Sequence, residues 1–157
     1  MTTPFPASRE LVLDRLIDAP RSAVWRCWSE PTLLPQWFTP APWSTKSATL
    51  DVRPGGTFTT VMVDPEGNEF PNAGVFLEVI EAKKLVFTDA YVKAWEPKEG
   101  PFMTVILTFS DEGNATRYRA AARHFSETDR ERHEEMGFHS GWNLAVDQLE
   151  TLARTLT

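Results

Sequence analysis

His133-Glu134-Glu135-Met136-Gly137 begins like the H-E-x-x-H helix of zinc proteases, where two histidines one turn apart clasp the metal and the glutamate acts as base. Here Gly137 stands where the second histidine would be, so no zinc site is expected. His133 and His139 lie six apart, roughly 120° around a helix, and cannot jointly clasp a metal without another element. His133 is expected to hydrogen-bond at the helix surface. From Ala115 to His124 the residues Tyr118, Ala120, Ala122 and His124 alternate with Arg117, Arg119, Ala121 and Arg123. On a strand the first set shares one face, where small alanines beside Tyr118 and His124 leave room for a ligand. In a greasy pocket desolvation shifts pKa values, which makes His124, Tyr118 and Glu69 the candidates for proton transfer. Asp89 has a similar claim. The competing reading of each is an ordinary hydrogen-bonded side chain, and a one-residue slip would turn Glu69 or Asp89 outward. Asp51 and Arg53 flank Pro54-Gly55-Gly56 two apart, as a pair bracing a turn. Gly55-Gly56 lacks the Lys and Ser/Thr of a phosphate loop, and no Gly-x-Ser-x-Gly elbow occurs.

These residues need elements to hold them, and 157 residues are enough for one domain with a proper core. Hydrophobic residues at 41% and charged residues at 24% are ordinary globular composition. The net charge of -6, with no basic patch, argues against nucleic acid or an anionic membrane as partner. No apolar run approaches the ~20 residues that span a bilayer, and Met1 to Arg9 lacks a signal pattern. Cys27 is the single cysteine and is expected to be a small core side chain in a reducing compartment. A cytoplasmic location follows as the expectation; a homodimer is left open.

The periodicity predicts one long helix over Ser126 to Thr157. Phe138, Trp142, Ala145, Leu149 and Leu152 fall on one stripe, flanked by Val146 and Ala153. Ser126 or Thr128 caps its start, with Glu131 placed as in a capping box. Gly137 and Gly141 inside it each cost about 1 kcal/mol relative to alanine. They share a face, which points to close packing on a sheet or to a bulky neighbour or ligand beside Phe138 and Trp142.

Upstream, Glu10 to Asp18 reads as a strand. A short helix follows Pro20, and a second runs from Pro31 through Phe38. Strands are then expected over Ser47 to Arg53, Thr57 to Val63, Ala73 to Glu81, Lys84 to Tyr91, Phe102 to Phe109 and Ala115 to His124. The α+β order, without βαβ alternation, calls for an antiparallel sheet of six to seven strands curved around the last helix.

Several motifs occur together in this order. They are Ala19-Pro20 with Val24-Trp25 and Trp28, Asp51-x-Arg53-Pro54-Gly55-Gly56-x-Phe58, Leu85-Val86-Phe87-Thr88, and His133 to Phe138 with Gly141-Trp142. From about Arg9 to Leu152 the chain resembles the bacterial branch of the Hsp90-ATPase-activator homologue family, within the START-like superfamily of helix-grip (Bet v 1-like) folds. The resemblance implies a deep cavity between the long helix and the concave sheet. It leaves chemistry open, because its relatives include lipid carriers, polyketide cyclases, hormone receptors and the chaperone activator itself.

Large aromatics are the usual lining of an apolar site. Trp37, Phe38, Trp43, Phe58, Phe70, Phe87, Tyr91, Trp95, Phe138 and Trp142 are the ligand-binding candidates, with core packing the competing role for each. Tyr91 and Trp95 border the loop Glu96 to Pro101 and are placed at the mouth. The reading is a binding module for a hydrophobic small molecule, with no cofactor and no metal implied. The alternatives are a cyclase-, aromatase- or hydratase-like enzyme using the same cavity, and a chaperone co-factor acting by protein contact.

Overall fold

Alternation of apolar and polar residues in the middle of the chain produces one large sheet. The computed structural model describes residues 4–157; Met1 to Thr3, part of the stretch read as lacking a signal pattern, lie outside the described residues. Seven strands pair antiparallel: β1 (Glu10–Ile17), β2 (Ser44–Leu50), β3 (Thr57–Val63), β4 (Glu69–Ile80), β5 (Lys84–Thr88), β8 (Met103–Glu112) and β9 (Ala115–His124). Two short strands, β6 (Tyr91–Lys93) and β7 (Glu96–Pro97), form a separate ribbon. The sheet order is β1-β9-β8-β5-β4-β3-β2. The register sets Leu13 opposite Ala120 and Leu107 opposite Ala120 on the other side, so the small residues of β9 sit between leucines.

Helix α1 (Arg21–Ser29) starts after Pro20, whose fixed φ suits a helix entry, and buries Val24, Trp25, Cys27 and Trp28. The helix expected from Pro31 through Phe38 is absent. Pro35 lacks an amide proton and disfavours α geometry before it, so the segment makes turns around a single 3-10 stretch, Leu34–Gln36. Trp37 is nevertheless buried, its indole donating to the Cys27 carbonyl at 2.9 Å. Burial pushes the Cys27 thiol up to about 12, which leaves it a protonated core side chain.

The expected single C-terminal helix is two helices. Helix α2 (Glu127–Glu135) begins at Ser126, whose hydroxyl accepts the Asp129 amide at 3.1 Å. It ends where Gly137 takes φ 95°, a conformation that costs a residue with a Cβ but not glycine, and α3 (Phe138–Thr155) starts there in a new direction. Leu149 and Ala153 of α3 are sealed in the core. Gln148 fixes the connection before β2, donating to the carbonyls of Trp37 and Thr39 and accepting from the Ala41 amide. Arg15 of β1 reaches Asp147 at 2.8 Å, so the sheet edge holds the outer face of α3. The result is the helix-grip arrangement, a curved sheet around a C-terminal helix.

Other strand limits differ at their ends. The strand expected over Lys84 to Tyr91 stops at Thr88, because the Asp89 carboxylate folds back to accept the Phe102 and Met103 amides. Tyr91 thereby passes to the small ribbon. Strand β2 lies earlier than expected, and β4 starts at Glu69 rather than Ala73. Among the described residues no helix is long and apolar enough to cross a membrane.

Candidate functional site

The inner stripe of α3 does not fill the space it faces at the helix start. Between its first two turns, the loop after α1 and the concave sheet lies a cavity of about 430 Å³. Met62, Phe87, Met103 and Tyr118 supply the sheet wall. Phe138, Trp142 and Ala145 supply the helix wall, and Trp37, Phe38 and Trp43 the loop wall. A second hollow of about 160 Å³ shares Phe38, Met62, Phe87 and Met103 with the first and extends toward Phe58, Thr60 and Asp89. The aromatic rings brace one another: Trp28 meets Trp37 edge-on at 4.9 Å, and Phe58 lies 4.8 Å from Phe87. At the other end of the molecule a surface depression of about 610 Å³ is bounded by Asp18, Asp111 and Arg154 and contains no aromatic side chain.

Among the described residues the cavity wall carries no Asp, Glu, Lys or Arg side chain. Its hydroxyl or imidazole groups come from Thr39, Tyr118 and His133. The Thr39 hydroxyl is engaged by that of Thr45. Tyr118 is fully buried, and its oxygen accepts the Trp28 indole N–H at 3.2 Å. Burial pushes the phenol up, so it keeps its proton, and no protein acceptor for that proton occurs among the described residues. The hydroxyl can therefore donate to an acceptor within the cavity.

His133, expected at the surface, is buried. Its Nδ1 lies 2.8 Å from Nε2 of His124, and the Nδ1 of His124 lies 2.9 Å from the Arg9 carbonyl. Phe102, Phe138 and Trp142 enclose the His133 ring at 4.8, 5.0 and 6.4 Å between centroids. Burial first, and the neighbouring His124 second, bring the His133 pKa down to about 4; burial also lowers that of His124. Sequence reasoning selected His124 and missed His133 as an inward group, since helix α2 is otherwise polar and shows no apolar stripe. The available signal was that one imidazole sits one turn before a helix-breaking glycine, where the chain folds back on the sheet.

The remaining candidates separate. Seven of the ten proposed aromatics, Trp37, Phe38, Trp43, Phe58, Phe87, Phe138 and Trp142, border the two hollows. Phe70 packs outside on Trp43 at 5.3 Å, while Tyr91 and Trp95 pair with each other at 5.5 Å and border neither hollow. Glu69 is exposed at the start of β4 and pairs with Lys46 at 3.1 Å. Asp89 reaches the smaller hollow but is held by backbone amides and Lys98. Ala120 and Ala122 are fully buried and border neither hollow. His139 is exposed beside Glu134.

Residues 18–154 match the family described as activator of Hsp90 ATPase homolog 1-like protein. The chain belongs to this family. A crystal structure of a protein from Nitrosomonas europaea is 46% identical over 96% of this chain and 97% of its own, with a TM-score of 0.93. The solution structure of the AHSA1-like protein from Aeromonas hydrophila, 20% identical over 94% of this chain and 93% of its own, superposes with a TM-score of 0.71. A crystal structure from Rhodobacter sphaeroides, 19% identical over 99% of this chain and 98% of its own, reaches 0.83. The latter two likenesses concern the fold. No curated protein matched the chain.

Proposed function

We propose that this AHSA1-like chain is a binding protein for a neutral, largely apolar small molecule, held between the start of α3, the Trp37–Trp43 loop and the concave sheet. One observation carries the reading. A cavity of about 430 Å³, walled by aromatic rings and methionines and free of ionised side chains, falls within the range of about 300–1,000 Å³ typical of small-molecule sites. Charged ligands would lose their hydration there without a counter-charge. The hydroxyl of Tyr118 and the imidazole of His133, alongside the indole N–H groups of Trp43 and Trp142, unpartnered among the described residues, are suited to orienting such a molecule.

The test fills the space. Ala145→Trp places an indole in the cavity wall, away from the sealed turns around Leu149. The variant is expected to keep its circular dichroism and to lose at least tenfold in affinity for 1-anilinonaphthalene, followed by fluorescence. Native mass spectrometry of the purified protein with organic extraction should release an apolar compound from the wild type and none from the filled variant. Equal probe affinity in both proteins would sink the reading. A compound returned chemically altered after incubation would favour the cyclase- or hydratase-like alternative over simple binding.

A further inference from the structure

The two buried imidazoles fix each other's protons. The Arg9 carbonyl can only accept, so the Nδ1 of His124, 2.9 Å away, must carry a hydrogen. A neutral His124 then has its lone pair on Nε2. The Nδ1 of His133, 2.8 Å from that lone pair, must be the donor. This leaves the Nε2 of His133 as a bare acceptor. No side chain among the described residues donates to it, and no fully enclosed side-chain nitrogen or oxygen lacks a partner. The Nε2 position is therefore accessible, and His133 borders the 430 Å³ cavity, onto which we place that opening. From this chain of bonds we infer that the cavity selects its ligand by a hydrogen-bond donor: the Nε2 of His133 accepts an O–H or N–H from a neutral, otherwise apolar molecule, and His124 is the positioning residue that fixes the tautomer.

The inference rests on the binding reading above and specifies the ligand class. Burial keeps both imidazoles neutral near pH 7, so the lone pair is present when the ligand arrives. The charged groups acting on the pair are Asp129 and Arg130 of α2, whose effects on His124 oppose each other. Around His133 the rings of Phe102, Phe138 and Trp142 form a largely apolar surround, in which a hydrogen bond is stronger than in bulk water. An alcohol, phenol or amide satisfies this acceptor. A carboxylate brings only lone pairs and a charge to a wall without a cation, so fatty-acid anions are disfavoured. A phenol oxygen is also an acceptor of the kind that the Tyr118 hydroxyl, on the wall of the same cavity, can serve as donor.

The experiment compares three probes of one shape, 2-naphthol, naphthalene and 2-naphthoate, titrated at pH 7.5 into the full chain. Wild type is expected to bind naphthol about three- to tenfold more tightly than naphthalene, the worth of one hydrogen bond, with naphthoate weakest. His133→Phe keeps a flat ring of similar size and removes the cavity-facing lone pair. It should bring naphthol down to naphthalene while leaving naphthalene within about twofold, on the same scale of net hydrogen-bond strength. Long-range proton–nitrogen NMR should show Nδ1–H at both imidazoles in wild type, with the His133 Nε2 signal moving on naphthol addition. In His124→Leu the His133 tautomer should become mixed. Equal binding of naphthol and naphthalene by wild type, survival of the preference in His133→Phe, or an Nε2–H tautomer at His133 overturns donor recognition and leaves the apolar cavity standing. Failure of all three probes removes both readings.

Discussion

The two halves of α3 present the same amphipathic stripe to very different surroundings. Toward the C-terminus Leu149 and Ala153 are 0% exposed, with α3 packed on α1 and β1. Toward the N-terminus Phe138, Trp142 and Ala145 border a hollow, and Met136 just before them is 71% exposed. Identical periodicity thus encodes core in one half and cavity wall in the other, because the stripe records which side faces inward and not what lies opposite. The break at Gly137 creates the difference. It lets α2 swing His133 under the helix start, where a continuous helix would have carried its own residues onward.

Truncation should separate the halves most strongly. Leu149→Ala removes a fully enclosed side chain and should cost about 3–5 kcal/mol by urea denaturation. Trp142→Ala removes a larger side chain that is half-buried on the cavity rim, and about 1–2 kcal/mol is expected. If Trp142→Ala proves the costlier change, the start of α3 is core and the hollow is not a site.

Acid should discriminate next. The His133 pKa of about 4 lies below its ordinary 6.5, so the unfolded chain binds this proton more tightly than the folded one. Stability from this group is therefore complete above about pH 6.5 and falls as pH drops from there toward 4. The loss between pH 7 and 5 should be on the order of 1–2 kcal/mol. His124, also lowered by burial, acts in the same direction. His133→Asn should flatten the pH 7 to 5 portion of the stability profile, and Leu149→Ala should shift the profile without flattening it. A parallel profile in His133→Asn would place that imidazole in water.

The sheet was legible because each strand repeats its pattern over several residues: Ala115–His124 and Thr57–Val63 fall where alternation places them. The grip of sheet on helix followed from strand count and order, and the family resemblance agreed. Single-residue events were harder. Pro35 stands inside the apolar run that suggests a helix, and a proline at that point favours a turn. Gly137 was counted as a costly interior residue when its commoner use is to end a helix in left-handed geometry. The imidazole pair was hidden for another reason. His124 and His133 are nine residues apart on a strand and a helix, and only the turn at Phe125 and Ser126 decides that their rings meet. Outward placement of Glu69 depended on where β4 begins, which alternation does not specify.

The two glycines sharpen the contrast on the smallest scale. Gly137 sits at φ 95°, and a Cβ there would meet the Ser140 hydroxyl at 3.3 Å, so Gly137→Ala should lose about 1–2 kcal/mol. Gly141 is four residues on, inside α3, and a Cβ there would meet only Pro40, at an ordinary 3.9 Å. With helix propensity favouring alanine, Gly141→Ala should gain about 0.5–1 kcal/mol in a thermal or urea melt. The added methyl also enters the cavity wall, so this stabilised variant should bind a bulky apolar probe less well. Stability and affinity moving in opposite directions in one variant is what a cavity wall produces. A sealed core contact would move stability alone, and a loss of stability in Gly141→Ala would mean that the wall already touches what faces it.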